Sequence, residues 1–167
     1  ERMYRIRLND PCNLRLDGKA LIDGTAWDYA YVELGDPGIP HAVVPVKNLR
    51  DFDTAKLREL GRRLRYYPEF PKGANVNFYE IIGPNHIYER TYERGVEDFT
   101  YACGTGTGSV VTVLTLLGKV SGHQVRVDMT GGQLMVDVER EGNQVTNLYL
   151  TGPTNIVCKG EITDEAL

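Results

Sequence analysis

The chain has 167 residues, with 19 Lys and Arg against 23 Asp and Glu, a formal charge of −4, and 41% hydrophobic and 25% charged residues, as in an ordinary globular domain. One domain of this size buries about 70% of the surface its unfolded form exposes, so its core needs no disulfide or metal staple. An isoelectric point near 5.4 argues against nucleic acid as the main partner. The three cysteines cannot all pair, and no apolar run approaches the ~18 residues of a membrane span or resembles a signal segment; both features point to a reducing, cytoplasmic setting.

Tyr4 to Leu8 alternates apolar and charged residues, the period of a half-buried strand. It follows Glu1-Arg2 with no initiator Met, as expected of a chain cut from something longer. Asp17-Gly18, between Leu14 and Leu16 on one side and Ala20 and Leu21 on the other, predicts a hairpin turn, because these residues tolerate positive φ. Trp27 to Leu34 reads as a strand, Gly35 to Pro40 as a short stiff loop, and His41 to Val46 as the next strand. Asp53 is a plausible N-cap for a helix carrying Leu57, Leu60 and Leu64, with Arg58, Arg62, Arg63 and Arg65 on its solvated face. Strands at Val76 to Ile82 and Ile87 to Tyr92 follow, and the second delivers Glu93-Arg94-Gly95 at its end.

Gly104 to Leu117 is glycine-rich at its start and then almost wholly apolar. Its β-branched content favours a strand, but its length and the C′ position offered by Gly118 predict a helix, buried on all sides by sheet. Val125 to Met129, Leu134 to Val138, Val145 to Leu150 and Ile156 to Ile162 read as strands, with turns at Thr130-Gly131-Gly132 and Glu141-Gly142-Asn143. The class is α+β, with hairpins wrapped around a core helix.

Chemistry concentrates at Ala102-Cys103-Gly104-Thr105-Gly106, where a cysteine precedes the first turn of that helix. The first N–H groups of a helix lack intrahelical partners and carry partial positive charge, so they stabilise a thiolate or hold a carboxylate. Gly104 and Gly106 would let a ligand approach them without meeting a Cβ. The bland alternative is a buried free cysteine at a tight strand-to-helix turn. The glycines match neither the dinucleotide fingerprint nor a P-loop. His41, His86, His123 and the cysteines show no metal-ligand spacing, so no metal site is expected. A cysteine nucleophile at Cys103 with His41 as its base is formally open, but nothing in the sequence places the two together.

Glu93 to Gly106 as a whole resembles the second cysteine motif of the diaminopimelate epimerases, cofactor-independent enzymes of lysine and peptidoglycan-precursor synthesis. Ile39-Pro40-His41-Ala42-Val43-Val44, Gly73-Ala74-Asn75-Val76-Asn77-Phe78, Gly131-Gly132 and Leu150-Thr151-Gly152-Pro153 follow in the family's order. The resemblance implies a fold of two similar lobes, each a curved, mostly antiparallel sheet around a buried central helix, with the active site in the cleft between them. Residues 1–167 would form one domain, the C-terminal lobe. The partner it implies is an N-terminal lobe carrying a second cysteine in a Cys-Gly-Asn-Gly-like motif, which does not occur here. Cys12 and Cys158, the latter in a terminal strand, are read as structural.

By the same resemblance the ligand is a small amino acid and no cofactor is needed. Cys103 would be one of two thiols that remove and return an α-proton on opposite faces of Cα. Gly104 and Thr105 would offer backbone N–H groups to the α-carboxylate, and Glu93, Arg94 and Asn75 would hold the distal amino and carboxylate groups. His41 and Glu93 would tune protonation near the cysteines. Two departures stand out: Ile39 takes the place of a common Asn, and one extra residue separates Glu93 from Cys103. A racemase of another amino acid and a non-catalytic amino-acid-binding domain are the alternatives, and the isolated lobe is expected to be inactive. Neither nucleic acid nor membrane is an expected partner, while a homodimer is compatible with the reading. A thiol activated by the helix terminus is expected to alkylate faster than Cys12 or Cys158.

Overall fold

The computed structural model describes residues 2–166. In chain order the elements are β1 (Arg2–Leu8), β2 (Pro11–Ile22), β3 (Thr25–Leu34), β4 (Ile39–Pro45), α1 (Thr54–Arg65), β5 (Asn75–Gly83), β6 (His86–Glu93), β7 (Asp98–Phe99), α2 (Gly104–Leu116), β8 (Val125–Met129), β9 (Gly132–Glu141), β10 (Gln144–Thr154) and a closing 3-10 turn (Asp164–Ala166). The strands join one sheet in the order β1-β10-β9-β8-β6-β5-β4-β3-β2, with β7 paired to β6. Among these pairs only β4–β5 and β6–β8 are parallel. Parallel neighbours need a crossover connection, and α1 and α2 supply the two.

The crossovers lie on opposite faces of the sheet, as the alternation along each strand requires. On β4, Val43 joins the core around α2, whereas Ala42 and Val44 join the core around α1. On β3, Ala30, Val32 and Leu34 face α2 while Tyr29 and Tyr31 face α1. Helix α2 touches β3, β4 and β5 on one side and β9 and β10 on the other, so the sheet curls around it as an α+β half-barrel. Ten of its residues, from Gly106 to Thr115, are buried, as expected of a helix with no solvent face. Helix α1 buries only Leu57, Leu60, Gly61 and Leu64, and Asp53 caps it by accepting from Lys56 N at 2.8 Å. Among the described residues no helix is long and apolar enough to cross a membrane.

Two expectations are corrected. The first hairpin turns at Asp23-Gly24, both at positive φ (47° and 76°), rather than at Asp17-Gly18. Gly18 lies within β2, beside an irregularity in the β2–β3 register, and a Cβ there would stand 2.3 Å from the Tyr29 ring. Its glycine serves close packing, and the pair with free positive φ takes the turn. Ile156 to Ile162 forms no strand. Ile156, Val157 and Ile162 are exposed and Cys158 lies in this irregular exposed stretch, since β-propensity alone forms no strand without a partner to pair with.

Candidate active site

One rim of the half-barrel collects the residues of interest. Strands β4 and β5 begin there, with His41 beside Asn75, and β6 ends there, with Glu93 as its last residue. Helix α2 starts from Cys103, an N-cap in extended conformation (φ −135°, ψ 100°) whose carbonyl accepts the first intrahelical bond, from Thr107 N at 2.8 Å. The helix therefore leaves the N–H groups of Gly104 and Thr105 without intrahelical partners. Cys103 Sγ lies 3.7 Å from Thr105 Oγ1, and the Gly106 N–H is near enough to pull the thiol's pKa down. The β8–β9 turn buttresses this segment: Gly131 N donates to Tyr101 O at 2.7 Å, and a Cβ on Gly131 would strike the same oxygen.

Asn75 is buried and bridges strand starts to strand end. Its Nδ2 donates to Pro40 O at 3.3 Å, and its Oδ1 accepts from Arg94 N at 2.8 Å. Arg94 Nη1 donates to Lys72 O at 2.9 Å, which fixes the direction of its guanidinium. Glu97 secures the following turn by accepting from Gly95 N at 3.0 Å and from Arg65 Nε at 3.1 Å. Glu93 is half-buried and close enough to Cys103 for its charge to raise the thiol's pKa. Ile39, 38% exposed, stands at the start of β4 on this rim.

His41 is fully buried, and its Nδ1 accepts from Asn77 Nδ2 at 3.2 Å. Desolvation pushes its pKa down to about 3, outweighing the upward effect of the Asn77 hydrogen bond, so the ring is neutral. Among the described residues no hydrogen bond joins His41 to Cys103, and the pairing of thiol and imidazole required of a nucleophile–base couple is not made. His41 instead orders Asn77, which also donates to Ala42 O at 3.1 Å and accepts at Oδ1 from Thr91 Oγ1 at 3.0 Å.

Gly106 serves packing rather than ligand approach, because a Cβ there would stand 2.3 Å from Asn77 Oδ1. Gly104, half-buried, also packs closely, since a Cβ there would stand 3.0 Å from Leu150 Cδ2. The expected activation of Cys103 meets an opposing influence. Desolvation by burial is the largest influence and raises its pKa above the usual thiol value, with Glu93 and Glu89 adding to the rise, while Gly106 N–H and Thr105 pull it down.

The sequence reading missed Asn77, Thr91 and Glu89. Each sits at period two from a residue already singled out, Asn77 from Asn75 on β5, and Thr91 and Glu89 from Glu93 on β6. Polar residues repeating on a strand's inward face were the available signal.

A thiol at the head of a helix enclosed by a half-barrel, beside an Asn-anchored Glu-Arg pair, defines the class of site. Residues 35–157 match the diaminopimelate epimerase family, and the chain belongs to that family. It is 40% identical over 164 residues to the diaminopimelate epimerase of Chlorobaculum tepidum, covering 98% of this chain and 59% of that protein. It is 36% identical over 141 residues to the diaminopimelate epimerase of Leptospira biflexa serovar Patoc, covering 84% and 46%. The chain thus spans about half the length of these relatives. Among solved structures, a probable proline racemase from Agrobacterium radiobacter K84 superimposes with a TM-score of 0.65 at 21% identity, over 90% of this chain and 50% of that one. A phenazine biosynthesis PhzF-family protein of Enterococcus faecalis gives 0.51 at 14%, over 82% and 40%, so both share the fold.

Proposed function

We propose that this chain supplies one half of the active site of a cofactor-independent amino-acid epimerase acting on diaminopimelate in lysine and peptidoglycan-precursor synthesis, and that residues 1–167 form one lobe of a two-lobed enzyme. The observation that carries this reading is Cys103 at the N-cap of a buried helix, beside the unpaired N–H groups of Gly104 and Thr105. Inverting a stereocentre needs an acid on one face of Cα and a base on the other. A thiolate on an opposing lobe takes the α-proton with the C–H electron pair left on Cα, and the Cys103 thiol gives its proton to the opposite face, becoming the thiolate. The reverse epimerisation exchanges the two roles, and no net oxidation occurs.

Charge that develops on the α-carboxylate during the carbanion stage meets the N–H groups of Gly104 and Thr105, where the helix terminus is worth most. The raised pKa of Cys103 suits its role here, since at neutral pH it is the protonated, donating partner. Glu93 and Arg94, opposite charges on a rim braced by Asn75, suit the amino and carboxylate groups at the far end of a zwitterionic substrate. A chain lacking the opposing thiol catalyses no epimerisation alone. The test is α-hydrogen exchange in D2O, followed by NMR on the complete protein with LL-diaminopimelate beside a panel of other amino acids. Deuterium uptake abolished by Cys103→Ala is the expected outcome, and binding without uptake from any substrate would sink the reading. Fastest uptake from an amino acid without a distal carboxylate would assign Ile39 to a different substrate preference.

A further inference from the structure

The interior of the half-barrel holds a carboxyl group that the epimerase reading does not use. Glu89 on β6 is 1% exposed, and its Oε2 has no hydrogen-bond partner. Its Oε1 is hydrogen-bonded to Thr107 Oγ1 on the second turn of α2. The same hydroxyl lies 3.0 Å from the carbonyl oxygen of Cys103, which also receives the Thr107 N–H.

Proton counting decides the direction of these bonds. A threonine hydroxyl carries one hydrogen, and both of its neighbours would be pure acceptors if Glu89 were ionised. One of the two contacts would then have no proton. A protonated Glu89 removes the conflict by donating to Thr107 Oγ1 and freeing the Thr107 hydrogen for the Cys103 carbonyl. The surroundings agree. Tyr79 is the register partner of Glu89 on β5, Cys103 heads α2, Glu93 lies farther along β6, and β8, the parallel neighbour of β6, carries Arg126 and Asp128 opposite His86 and Tyr88. No cation contributes to its titration, and a bare carboxylate oxygen in such a place is costly. Burial accordingly pushes its pKa up to about 8 against a smaller downward pull from Thr107.

We propose that Glu89 is a positioning residue: as a neutral carboxylic acid it donates to Thr107 Oγ1, Thr107 donates to the Cys103 carbonyl, and the chain of two hydrogen bonds fixes the N-cap that presents Cys103 Sγ. Its role in the reaction rests on Cys103 being the acid–base thiol. The assignment itself is a statement about this fold.

Infrared spectra of the wild-type chain test it without turnover. At about pH 6 they contain the carbonyl stretch of a protonated carboxylic acid, which fades as the pH is raised to about 9 and is missing from Glu89→Gln. Glu33, the other buried carboxyl among the described residues, is paired with Lys72 and held ionised, so it does not contribute. Iodoacetamide alkylation of Cys103, read by peptide mapping, then separates positioning from bulk stability. Glu89→Gln, whose amide still donates to Thr107, keeps the wild-type rate at neutral pH, while Thr107→Val changes it severalfold. No protonated-acid band in the wild type, or an unchanged rate in Thr107→Val, overturns the proposal, and the wild-type spectrum is decisive even if a variant fails to fold. Absence of Cys103-dependent exchange in the complete protein would instead remove the epimerase reading and leave Glu89 to be judged on its spectra.

Discussion

Asn77 Oδ1 occupies the space that a side chain on Gly106 would fill, 2.3 Å from where its Cβ would be. Asn77 cannot step aside, because His41, Ala42 and Thr91 hold both ends of its amide. The same contact seats α2 against β5, so the position of Cys103 depends on a glycine three residues further along the helix.

Gly106→Ala is therefore expected to destabilise the chain by about 1–3 kcal/mol, the cost of overpacking a filled interior, despite alanine's better helix propensity. Urea unfolding followed by circular dichroism checks this. An unchanged or raised midpoint would mean that α2 shifts freely on β5.

Two Asp-Gly pairs in β2 and its turn should respond differently to the same change. Gly24→Ala meets no atom within 4 Å and suffers only the positive φ of 76°, a cost of about 1 kcal/mol. Gly18→Ala must displace the Tyr29 ring, which is anchored by a 2.7 Å hydrogen bond to Glu69 and packs edge-on against Phe70. Thermal unfolding should rank Gly18→Ala as the more destabilised variant, and the reverse order would contradict the placement of the turn.

Stability should fall on both sides of a mildly acidic optimum. His41 stays neutral in the fold down to about pH 3 while the unfolded chain protonates near 6.5, so its contribution is full above 6.5 and is lost as the pH falls towards 3. Glu89 runs the other way: the fold keeps its proton up to about pH 8 and the unfolded chain releases it near 4.5, so stability present below 4.5 is lost as the pH rises to about 8. Urea midpoints measured across this range should show His41→Gln flattening the acid limb and Glu89→Gln the alkaline limb. An alkaline limb that survives in Glu89→Gln would place the titrating group elsewhere.

Alkylation order in this chain should oppose the expectation for an activated thiol. Cys158 is exposed, Cys12 is exposed with a pKa raised by partial burial and by Glu33, and Cys103 is half-buried with a pKa raised chiefly by desolvation. Peptide mapping with limiting iodoacetamide at neutral pH should label Cys158 first and Cys103 last. Labelling of Cys103 first would show that the helix N-terminus overcomes burial.

Features that neighbouring residues settle together could be read along the chain. Period-two alternation marked β1, strand-like runs marked β3, β4, β5 and β6, an aspartate followed by spaced leucines marked α1, and the cysteine before a glycine-rich apolar run marked the head of α2. These signals are legible because strand faces, caps and helix termini are built within a few residues of chain. Long-range packing settled which Asp-Gly pair turns, that Ile156 to Ile162 lies exposed outside the sheet, that His41 bonds Asn77, and that Glu89 reaches Thr107. Each of these depends on a partner distant in sequence or on its absence. The protonation of Cys103, His41 and Glu89 follows from the same cause, because desolvation is set by everything packed around a group and not by its neighbours in the chain.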